Sequence, residues 1–338
     1  MSEPLTFLVT GGGGFLGFAI VDMLVKQGHR VKSFSRGAYP ELEALGVTQV
    51  RGDISNPDDV DRAVQGSDVV FHVAAKPGVW GKYEDYYRTN TLGTQNVVSA
   101  CLKHNVRHLI HTSSPSVVFT AGDMEGADES TPYTETFHTS YIKTKKLAED
   151  IVLSAVKEKG LKAVILRPHL IWGPRDNHLV PRVISRAKRL VKVGSRNNLV
   201  DTIYIDNAAH AHVLAHEALT RDPSLSGRAY FISNDEPIPM WDIINGILAA
   251  GGLPPITRTL PHRVVWCIGA VMEFFYALLH LPGEPKMTRF VADELATVHW
   301  FNISAAKNDL GYKPLVSNSE GLKRLGEWLK ENPILMNT

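Results

Sequence analysis

Two side chains near the middle of the sequence have the types and the spacing that proton transfer to a carbonyl oxygen needs. The segment YIKTK places Tyr141 and Lys145 four residues apart, and on a helix that spacing puts both on one face. An ammonium group beside a phenol stabilises the phenolate, so it lowers the pKa of the tyrosine from about 10 toward neutrality. A tyrosine tuned in this way can donate a proton to a forming alkoxide or accept one from an alcohol. The pair therefore predicts acid–base chemistry on a ketone or an alcohol.

A hydroxyl group beside the tyrosine would complete such a site by holding the substrate oxygen. The segment HTSSPSVVF offers three serines, Ser113, Ser114 and Ser116, after a stretch with the pattern of a strand. In open α/β sheets, ligands bind at the carboxyl ends of the strands, where these serines are expected. The residue types alone leave all three as alternatives, and Ser113 and Ser116 could also simply cap the strand end.

A run of glycines near the N-terminus indicates a nucleotide site. The stretch TGGGGFLG follows the apolar residues 5–9 and leads into a helical pattern. Gly11 allows a tight turn off the strand, Gly14 lets the backbone approach a pyrophosphate, and Gly17 allows close packing of helix on sheet. The helix then presents unpaired N–H groups and the positive end of its dipole to the phosphates. A dinucleotide is therefore the predicted ligand.

Short apolar strands alternate with helical patterns through the first half of the chain. We predict strands at residues 5–9, 29–33, 48–51, 69–73, 108–112 and 163–167, and helices at 19–27, 91–105 and 141–157. This alternation predicts an α/β fold with a Rossmann-type, doubly wound parallel sheet. Because it weakens after Pro174, we predict a dinucleotide-binding domain at 1–174 that carries the catalytic side chains. Residues 175–338 are then a smaller, mixed C-terminal substrate domain, part of which returns to the first.

The glycine spacing T-G-x-x-G-x-x-G, followed at this distance by Tyr-x-x-x-Lys, resembles the extended short-chain dehydrogenase/reductases. In that superfamily the pattern Ser-Ser-x-x-Val places the working serine three residues before the valine, which here is Ser114 before Val117. The resemblance also implies cofactor contacts in the glycine loop, at the adenine (RGDIS), at the ribose and phosphate (FHVAAKPG) and at the nicotinamide (LRPHLIWGPRD). The cofactor residues implied are Gly11, Gly14, Phe15, Leu16, Gly17, Asp53, Ile54, Ala74, Ala75, Lys76, Tyr141, Lys145, Pro168 and Ile171. The family's helix beginning with an asparagine matches Asn90.

Longer segments resemble one branch of the superfamily more closely. NNLVDTIYIDNAAHAHVLA is similar to the 3β-hydroxysteroid and sterol dehydrogenase branch. AAKPGVWGKYEDYYRTN, RPHLIWGPRDNHLVPR, YFISNDEPIPM and LPGEPKMTRF are similar to the bacterial 2-alkyl-3-oxoalkanoate reductases of long-chain olefin biosynthesis. That resemblance implies reduction of a long-chain β-keto acid with two alkyl chains to the 2-alkyl-3-hydroxyalkanoate. A sterol or steroid 3β-dehydrogenase is the alternative enzyme. A non-catalytic NADP-binding sensor or scaffold is the alternative of another class, although such relatives typically lose the tyrosine–lysine pair.

The end of the second predicted strand bears on the choice of cofactor. NAD enzymes commonly place an acid there to bind the ribose 2′-hydroxyl, whereas RVKSFSRG supplies Ser35 and Arg36 and no acid. A hydroxyl and a guanidinium bind a 2′-phosphate, which a carboxylate would repel. We therefore predict NADP(H) as the cofactor. The same feature disfavours a sugar-nucleotide epimerase, because such enzymes normally retain NAD.

Composition excludes several other classes of protein. The 338 residues carry a net charge of +1, so there is no broad basic field for nucleic acid. The two cysteines, Cys101 and Cys267, lack the spacing of metal ligands, and we predict no metal site. Nothing at the N-terminus has the pattern of a secretory signal peptide, so we expect a cytoplasmic protein.

The substrate end of the site is less well marked. The segment WGPRDNHLVPR offers Arg175, His178 and Arg182 as partners for a carboxylate, and Lys76 and His169 are further candidates.

Residues 264–281 are almost continuously apolar, with Glu273 near the middle. We predict a helix that covers an alkyl-binding pocket, with peripheral membrane contact as the alternative. Resemblance also implies a homodimer, formed through helices such as 91–105 and 141–157, and an association with other olefin-pathway enzymes.

Overall fold

The computed structural model describes residues 5–332. Its strands, β1 to β15 in chain order, are Thr6–Thr10, Arg30–Ser35, Thr48–Arg51, Val69–His72, His108–Thr112, Met124–Ala127, Ala163–Pro168, Ile171–Trp172, Lys192–Val193, Leu199–Val200, Ile203–Tyr204, Ala229–Ile232, Ile238–Pro239, Thr259–Leu260 and His299–Phe301. Its helices, α1 to α13, are Phe15–Lys26, Pro40–Ala44, Pro57–Val64, Tyr83–Tyr86, Gly93–Lys103, Ser140–Lys159, Leu179–Arg186, Ile205–Arg221, Met240–Ala250, His262–Leu278, Arg289–Ala296, Ser304–Leu310 and Asn318–Glu331.

Seven strands form one sheet in the order β12-β7-β5-β4-β1-β2-β3, and every pairing in it is parallel. The predicted Rossmann-type, doubly wound sheet is therefore confirmed. Because β1 lies between β2 and β4, the strand order reverses there and leaves a crevice at the carboxyl ends of β1 and β4. The glycine loop after β1 and the Ala74–Ala75 segment after β4 both open onto that crevice.

The sheet is covered on both faces, as the alternation of side chains along a strand requires. In β1, Phe7 and Val9 belong to one buried cluster together with Ile20 of α1. Leu8 points to the other face and joins a second cluster that contains Val97 of α5. Two buried faces fix both the position of the strand and the point at which the glycine loop leaves it.

The chain beyond Pro174 contributes to two regions. Strand β12 adds an edge to the large sheet, next to β7. A separate four-stranded sheet has the order β13-β10-β15-β6, and β8 with β11 and β9 with β14 form two-stranded pairs. The division at residue 174 into two domains stays a prediction, and the return of β12 shows that segments from both sides of it share one sheet.

The apolar stretch at 264–281 forms most of α10, and this helix turns its apolar side chains outward. Its buried residues are Val265, Gly269 and Glu273. A side chain at Gly269 would meet the backbone of Thr288, so α10 packs closely on the segment that begins α11. Glu273 accepts hydrogen bonds from the backbone N–H of Arg289 at 2.7 Å and from its Nε at 2.6 Å. Among the described residues there is no helix with the length and hydropathy needed to cross a membrane.

Candidate active site

The residues predicted from motifs lie along one open cleft of about 890 Å³ at the carboxyl ends of the central strands. A volume of this size suits a dinucleotide together with a substrate. The lining includes every residue predicted to bind cofactor or to act in catalysis, namely Gly11, Gly14, Phe15, Leu16, Gly17, Ser35, Arg36, Asp53, Ile54, Ala74, Ala75, Lys76, Ser114, Tyr141, Lys145, Pro168 and Ile171. Their roles stay predictions, but the fold brings them to one place.

The glycine loop has the geometry of a tight turn between β1 and α1. Gly11 has a φ of 72°, and its N–H donates to the carbonyl oxygen of Phe34 at 2.8 Å. The N–H of Gly14 donates to the carbonyl oxygen of Gly11 at 2.8 Å. A Cβ on Gly17 would lie 2.1 Å from that same oxygen, so only glycine fits there. The turn leaves the N-terminus of α1 facing the cleft, where a phosphate would meet free N–H groups.

The end of β2 supplies an unpaired hydroxyl and an exposed guanidinium. The Oγ of Ser35 is buried and has no hydrogen-bond partner among the described residues, and Arg36 is exposed. The nearest predicted acid, Asp53, is turned to its own loop, where Ser55 donates both its N–H and its hydroxyl to Oδ1 at 2.8 Å. These bonds hold the pKa of Asp53 below its usual value. An orphaned hydroxyl beside a guanidinium fits a 2′-phosphate, and the glycine turn fits the pyrophosphate of the same dinucleotide.

Helix α6 carries Tyr141 and Lys145 one turn apart, near its N-terminus. The Oγ1 of Thr139 caps this helix by accepting from the N–H of Ile142 at 3.2 Å. The Nζ of Lys145 donates to the carbonyl oxygen of Thr112, at the end of β5, at 2.6 Å. This bond ties the helix to the strand that precedes the serines.

Ser114 is the serine that reaches the tyrosine. It receives hydrogen bonds from the hydroxyl of Ser116 at 3.0 Å and from its N–H at 3.2 Å, and it is itself hydrogen-bonded to Tyr141. The Oγ of Ser113 is buried without a partner in the described part of the chain. The geometry therefore favours Ser114 over the other two candidates.

The predicted lowering of the tyrosine pKa is wrong for this structure. Burial raises the pKa of Tyr141 to about 12, although the hydrogen bond from Ser114 acts in the opposite direction. Lys145 does not stabilise the phenolate here, because its Nζ is turned to the carbonyl oxygen of Thr112. Burial also lowers the pKa of Lys145 to about 8. The phenol is accordingly protonated at neutral pH.

Of the five basic candidates for a substrate carboxylate, four line the cleft. Arg175 does not, because it stacks on Phe18 with 3.9 Å between guanidinium carbon and ring centroid and bonds to Glu41 at 3.3 Å. His169 is partly buried, and the loss of solvent around its ring holds its pKa well below its usual value and leaves it neutral. Its Nδ1–H donates to the carbonyl oxygen of Asp201 at 2.7 Å.

The remaining three are Lys76, His178 and Arg182, and the two long cationic side chains among them differ in their partners. Arg182 forms an ion pair with Glu284. The Nζ of Lys76 lies 5.3 Å from the ring centroid of Tyr86, and among the described residues it has no acidic partner. Of the five candidates, Lys76 is therefore the one whose positive charge is most available to a substrate carboxylate.

Asn90 positions the loop that carries Lys76. Its Oδ1 accepts from the N–H of Lys76 at 2.7 Å, and its Nδ2 donates to the carbonyl oxygen of Lys76 and to Oγ1 of Thr144, both at 3.1 Å. The asparagine thus links the loop after β4 to α6. It lies in a π-helical segment, Tyr87–Leu92, that precedes α5, so the predicted helix 91–105 begins irregularly.

The C-terminal part of the chain adds cleft residues that the sequence did not reveal. They come from α11 and β15 and include Phe290, Glu294, His299 and Phe301. Phe290 ends the similar segment LPGEPKMTRF, but no motif assigned it or the others to the site, because they reach the cleft only through packing between distant segments. Burial raises the pKa of Glu294 to about 7, and its carboxylate has no hydrogen-bond partner in the described residues.

No residue of α10 lines the cleft, so the prediction that this stretch covers an alkyl-binding pocket is wrong. The reason is that α10 packs on α11, and α11 itself supplies Phe290 and Glu294 to the cleft wall. Among the described residues there is no cluster of side chains that could hold a metal ion.

Comparison with protein-family models gives a match to residues 8–261 from the model described as the 3-beta hydroxysteroid dehydrogenase/isomerase family. That range contains the glycine loop, the three serines and the tyrosine–lysine pair.

Curated relatives cover almost the same span. A protein of Shewanella oneidensis named 2-alkyl-3-oxoalkanoate reductase is 52% identical over 94% of this chain and 84% of its own length. One of the same name from Stenotrophomonas maltophilia is 49% identical over 95% of this chain and 98% of its own length. The sterol-4-alpha-carboxylate 3-dehydrogenase, decarboxylating, of Mus musculus is 34% identical over 96% of this chain and 91% of its own length.

Solved structures of similar fold include a UDP-glucuronic acid 4-epimerase from Bacillus cereus in complex with NAD. It is 26% identical, with a TM-score of 0.75, and the match covers 97% of this chain and 99% of that one.

Proposed function

Because this chain belongs to the 3-beta hydroxysteroid dehydrogenase/isomerase family, and so is an NAD(P)-dependent oxidoreductase, we propose that it reduces a 2-alkyl-3-oxoalkanoate to the 2-alkyl-3-hydroxyalkanoate with NADPH, in long-chain olefin biosynthesis. The observation that carries the proposal is the 52% identity to a 2-alkyl-3-oxoalkanoate reductase across 94% of the chain. The cleft supports it, because the serine, tyrosine and lysine lie together beside an available cation.

Each catalytic side chain has a distinct part in this reaction. The nicotinamide cofactor, when bound, would supply the hydride for the ketone carbon. The phenol of Tyr141 donates its proton to the oxygen as the alkoxide forms, and its pKa of about 12 keeps that proton in place at neutral pH. Ser114 hydrogen-bonds the same oxygen and so orients the ketone toward the tyrosine. Lys145 would hold the ribose of that cofactor.

The substrate carboxylate is held, in this proposal, by Lys76. An ammonium group without an acidic partner attracts a carboxylate more strongly than the paired guanidinium of Arg182 does. The bonds from Asn90 fix the backbone of Lys76, which reduces the entropy lost on binding.

NADP(H) is the proposed cofactor, on the strength of the orphaned Ser35 hydroxyl and the neighbouring Arg36. The similar structure that contains NAD is that of an epimerase. The choice between NAD and NADP in this chain is therefore argued from its own residues.

Oxidation of synthetic 2-alkyl-3-hydroxy acids by the purified protein tests this function, with NADPH absorbance as the readout. The hydroxy acid is the better starting point because a β-keto acid loses carbon dioxide spontaneously. We expect turnover with NADP⁺ that depends on the carboxylate. Activity on the corresponding secondary alcohol at an equal kcat/KM would contradict a carboxylate-binding site.

A sterol or steroid 3β-dehydrogenase is the second candidate, favoured by the family match and by the sterol-4-alpha-carboxylate relative. Both named substrates carry a carboxylate close to the carbon that bears the reacting oxygen. The same catalytic and carboxylate-binding side chains would therefore suit either substrate. A side-by-side assay of a 2-alkyl-3-hydroxy acid and a 3β-hydroxysterol carboxylate separates them by the ratio of kcat/KM.

Assembly is a further part of the proposal. We expect a homodimer through α5 and α6, and association with other enzymes of the olefin pathway. Sedimentation of the purified protein, alone and mixed with those enzymes, tests both expectations.

A further inference from the structure

Helix α10 presents an unusually apolar face to the outside. Its exposed side chains include Val271 at 56%, Phe274 at 60%, Phe275 at 48% and Leu278 at 58% of full exposure. Val264, Ile268, Leu279 and Leu281 extend the same surface. Isolated exposed apolar residues are ordinary, but a contiguous apolar patch marks an interaction site.

The width of this face indicates what kind of surface covers it. At about 100° per residue, Val264, Ile268, Val271, Phe274, Phe275 and Leu278 span an arc of roughly 120° around the helix. A coiled-coil partner needs only a narrow seam, whereas a helix that lies in a lipid interface buries a broad apolar face.

Charge on and around the helix fits the same conclusion. The acid within α10, Glu273, faces inward and is paired with Arg289, and Glu284 beyond the helix is paired with Arg182. Two exposed cations, Arg263 at the start of α10 and Lys286 after its end, have no acidic partner in the described residues. An apolar face flanked by unpaired positive charge complements an anionic lipid surface.

The end of α10 also adjoins the mouth of the cleft. The ring of Tyr276 packs edge-on against Trp80, with 6.5 Å between centroids. Just beyond the helix, Glu284 accepts from the N–H of Val79 at 3.0 Å, and Val79 lines the cleft. A surface that binds α10 would therefore lie close to the entrance of the cleft.

We propose that α10 is a peripheral membrane-docking helix, which lies with its apolar face in the headgroup region of an anionic phospholipid bilayer and turns the cleft mouth toward it. At about 1.5 Å per residue the helix is roughly 26 Å long, which suits lying in the interface. Delivery of long-chain substrate from the bilayer is a consequence that rests on the proposed function, whereas the contact itself does not.

Co-sedimentation of the purified full chain with sucrose-loaded vesicles tests the contact. Vesicles made of equal parts phosphatidylcholine and phosphatidylglycerol are compared with vesicles of phosphatidylcholine alone. The test variant is Val271→Glu with Leu278→Glu, and the matched control is Leu315→Glu, an equally exposed residue outside α10. We expect wild type and control to bind the anionic vesicles, and the double variant to bind at least about tenfold more weakly, because two apolar side chains no longer enter the interface.

Three results would overturn the proposal. One is wild-type protein that does not bind the anionic vesicles. Another is equal binding by wild type and the double variant. The third is a wild-type dimer that ignores vesicles and becomes monomeric in the double variant, because that assigns the face to a second copy of the chain. Melting temperature confirms that each variant is folded.

Enzyme kinetics separate this proposal from the proposed reaction. With a short-chain, water-soluble hydroxy acid the double variant should keep wild-type kcat/KM, since neither residue lines the cleft. With a long-chain substrate embedded in anionic vesicles its rate should fall in proportion to the lost binding. Loss of both activities would contradict the assignment of α10 to docking alone, whereas absence of either activity in wild type would concern only the proposed function.

Discussion

At the scale of single residues, the serine cluster and Tyr141 form a directed chain of hydrogen bonds. Ser116 donates to Ser114, which leaves the hydroxyl hydrogen of Ser114 free to face the tyrosine. The spacing of Tyr141 and Lys145 on one helix face could be predicted from sequence, because four residues make about one turn. The direction of the shift in the pKa of Tyr141 could not be predicted, because it depends on burial and on which acceptor Lys145 donates to.

Replacing Tyr141 with phenylalanine removes the proton donor and leaves the ring in place. We expect turnover to fall by at least roughly a hundredfold, which is typical for a lost acid–base group. Cofactor affinity, measured by fluorescence titration, and melting temperature should stay near wild type. Tyr87→Phe, outside the cleft, serves as the matched control. Near-normal turnover in Tyr141→Phe would remove this residue from the mechanism.

Glu294 gives the site a pH dependence. Its pKa, raised by burial from 4.5 to about 7, keeps it neutral in acid and ionised above neutrality. An ionised carboxylate in the cleft repels a carboxylate substrate, so KM should rise as pH increases through about 7. Glu294→Gln should abolish that rise while leaving kcat at pH 6 little changed.

The same carboxyl group affects stability with a fixed sign. A folded-state pKa above the unfolded value means that its stabilising effect is complete below pH 4.5 and is lost as pH rises through about 7. The melting temperature of wild type should therefore fall relative to Glu294→Gln over that interval. A KM that rises identically in both proteins would assign the pH dependence to another group.

We expect the end of β2 to set the preference between NADPH and NADH. Ser35→Asp combined with Arg36→Ile removes a charged phosphate contact and adds a repulsive carboxylate, each worth about 1–3 kcal/mol. The ratio of kcat/KM for NADPH over NADH should fall accordingly. A wild-type preference for NADH would show that Ser35 and Arg36 do not select the phosphorylated cofactor.

At the scale of elements, the strands could be predicted more closely than the helices. The predicted strands 48–51 and 108–112 have the observed bounds, because turn-forming residues, Gly52 and Ser113 to Pro115, directly follow them. The predicted helix 91–105 is instead preceded by a π-helical segment, where Asn90 bonds to the loop after β4. That irregularity follows from a contact with a distant loop, which local pattern does not encode.

The apolar stretch of α10 shows a second limit of pattern. When a helix is apolar on nearly all sides, its sequence pattern does not indicate which side faces the protein interior. The direction is decided by Gly269 and Glu273, which contact the start of α11. The helix was therefore predictable, and the side that it exposes was not.

The packing of α1 against the glycine turn depends on one missing side chain. In Gly17→Ala the new Cβ would lie 2.1 Å from the carbonyl oxygen of Gly11, so the turn must open. We expect a lower melting temperature and at least about tenfold weaker binding of NADP⁺, since the phosphate-facing N–H groups move with the turn. Gly326→Ala, in the middle of α13 with its nearest neighbour at 3.5 Å, should leave both unchanged. Wild-type affinity in Gly17→Ala would show that the turn does not hold the cofactor.

At the scale of the whole molecule, the two ends of the cleft differ in whether short sequence motifs form them. The cofactor end is built from loops that directly follow β1, β2, β4 and β5, so short motifs mark it. The substrate end is completed by Phe290, Glu294 and His299, which join it only because α11 and β15 fold back over the sheet. Sequence therefore predicts the chemistry of the site better than the shape of its substrate pocket.

Transfer of deuterium tests the central claim most directly. The protein is given a 2-alkyl-3-oxoalkanoate and NADPH that carries deuterium at both positions of nicotinamide C4, and the product is analysed by mass spectrometry. The account predicts a 2-alkyl-3-hydroxyalkanoate with one deuterium at C3, formed far more slowly by Tyr141→Phe. A product without deuterium at C3, or one formed equally fast by that variant, would contradict it.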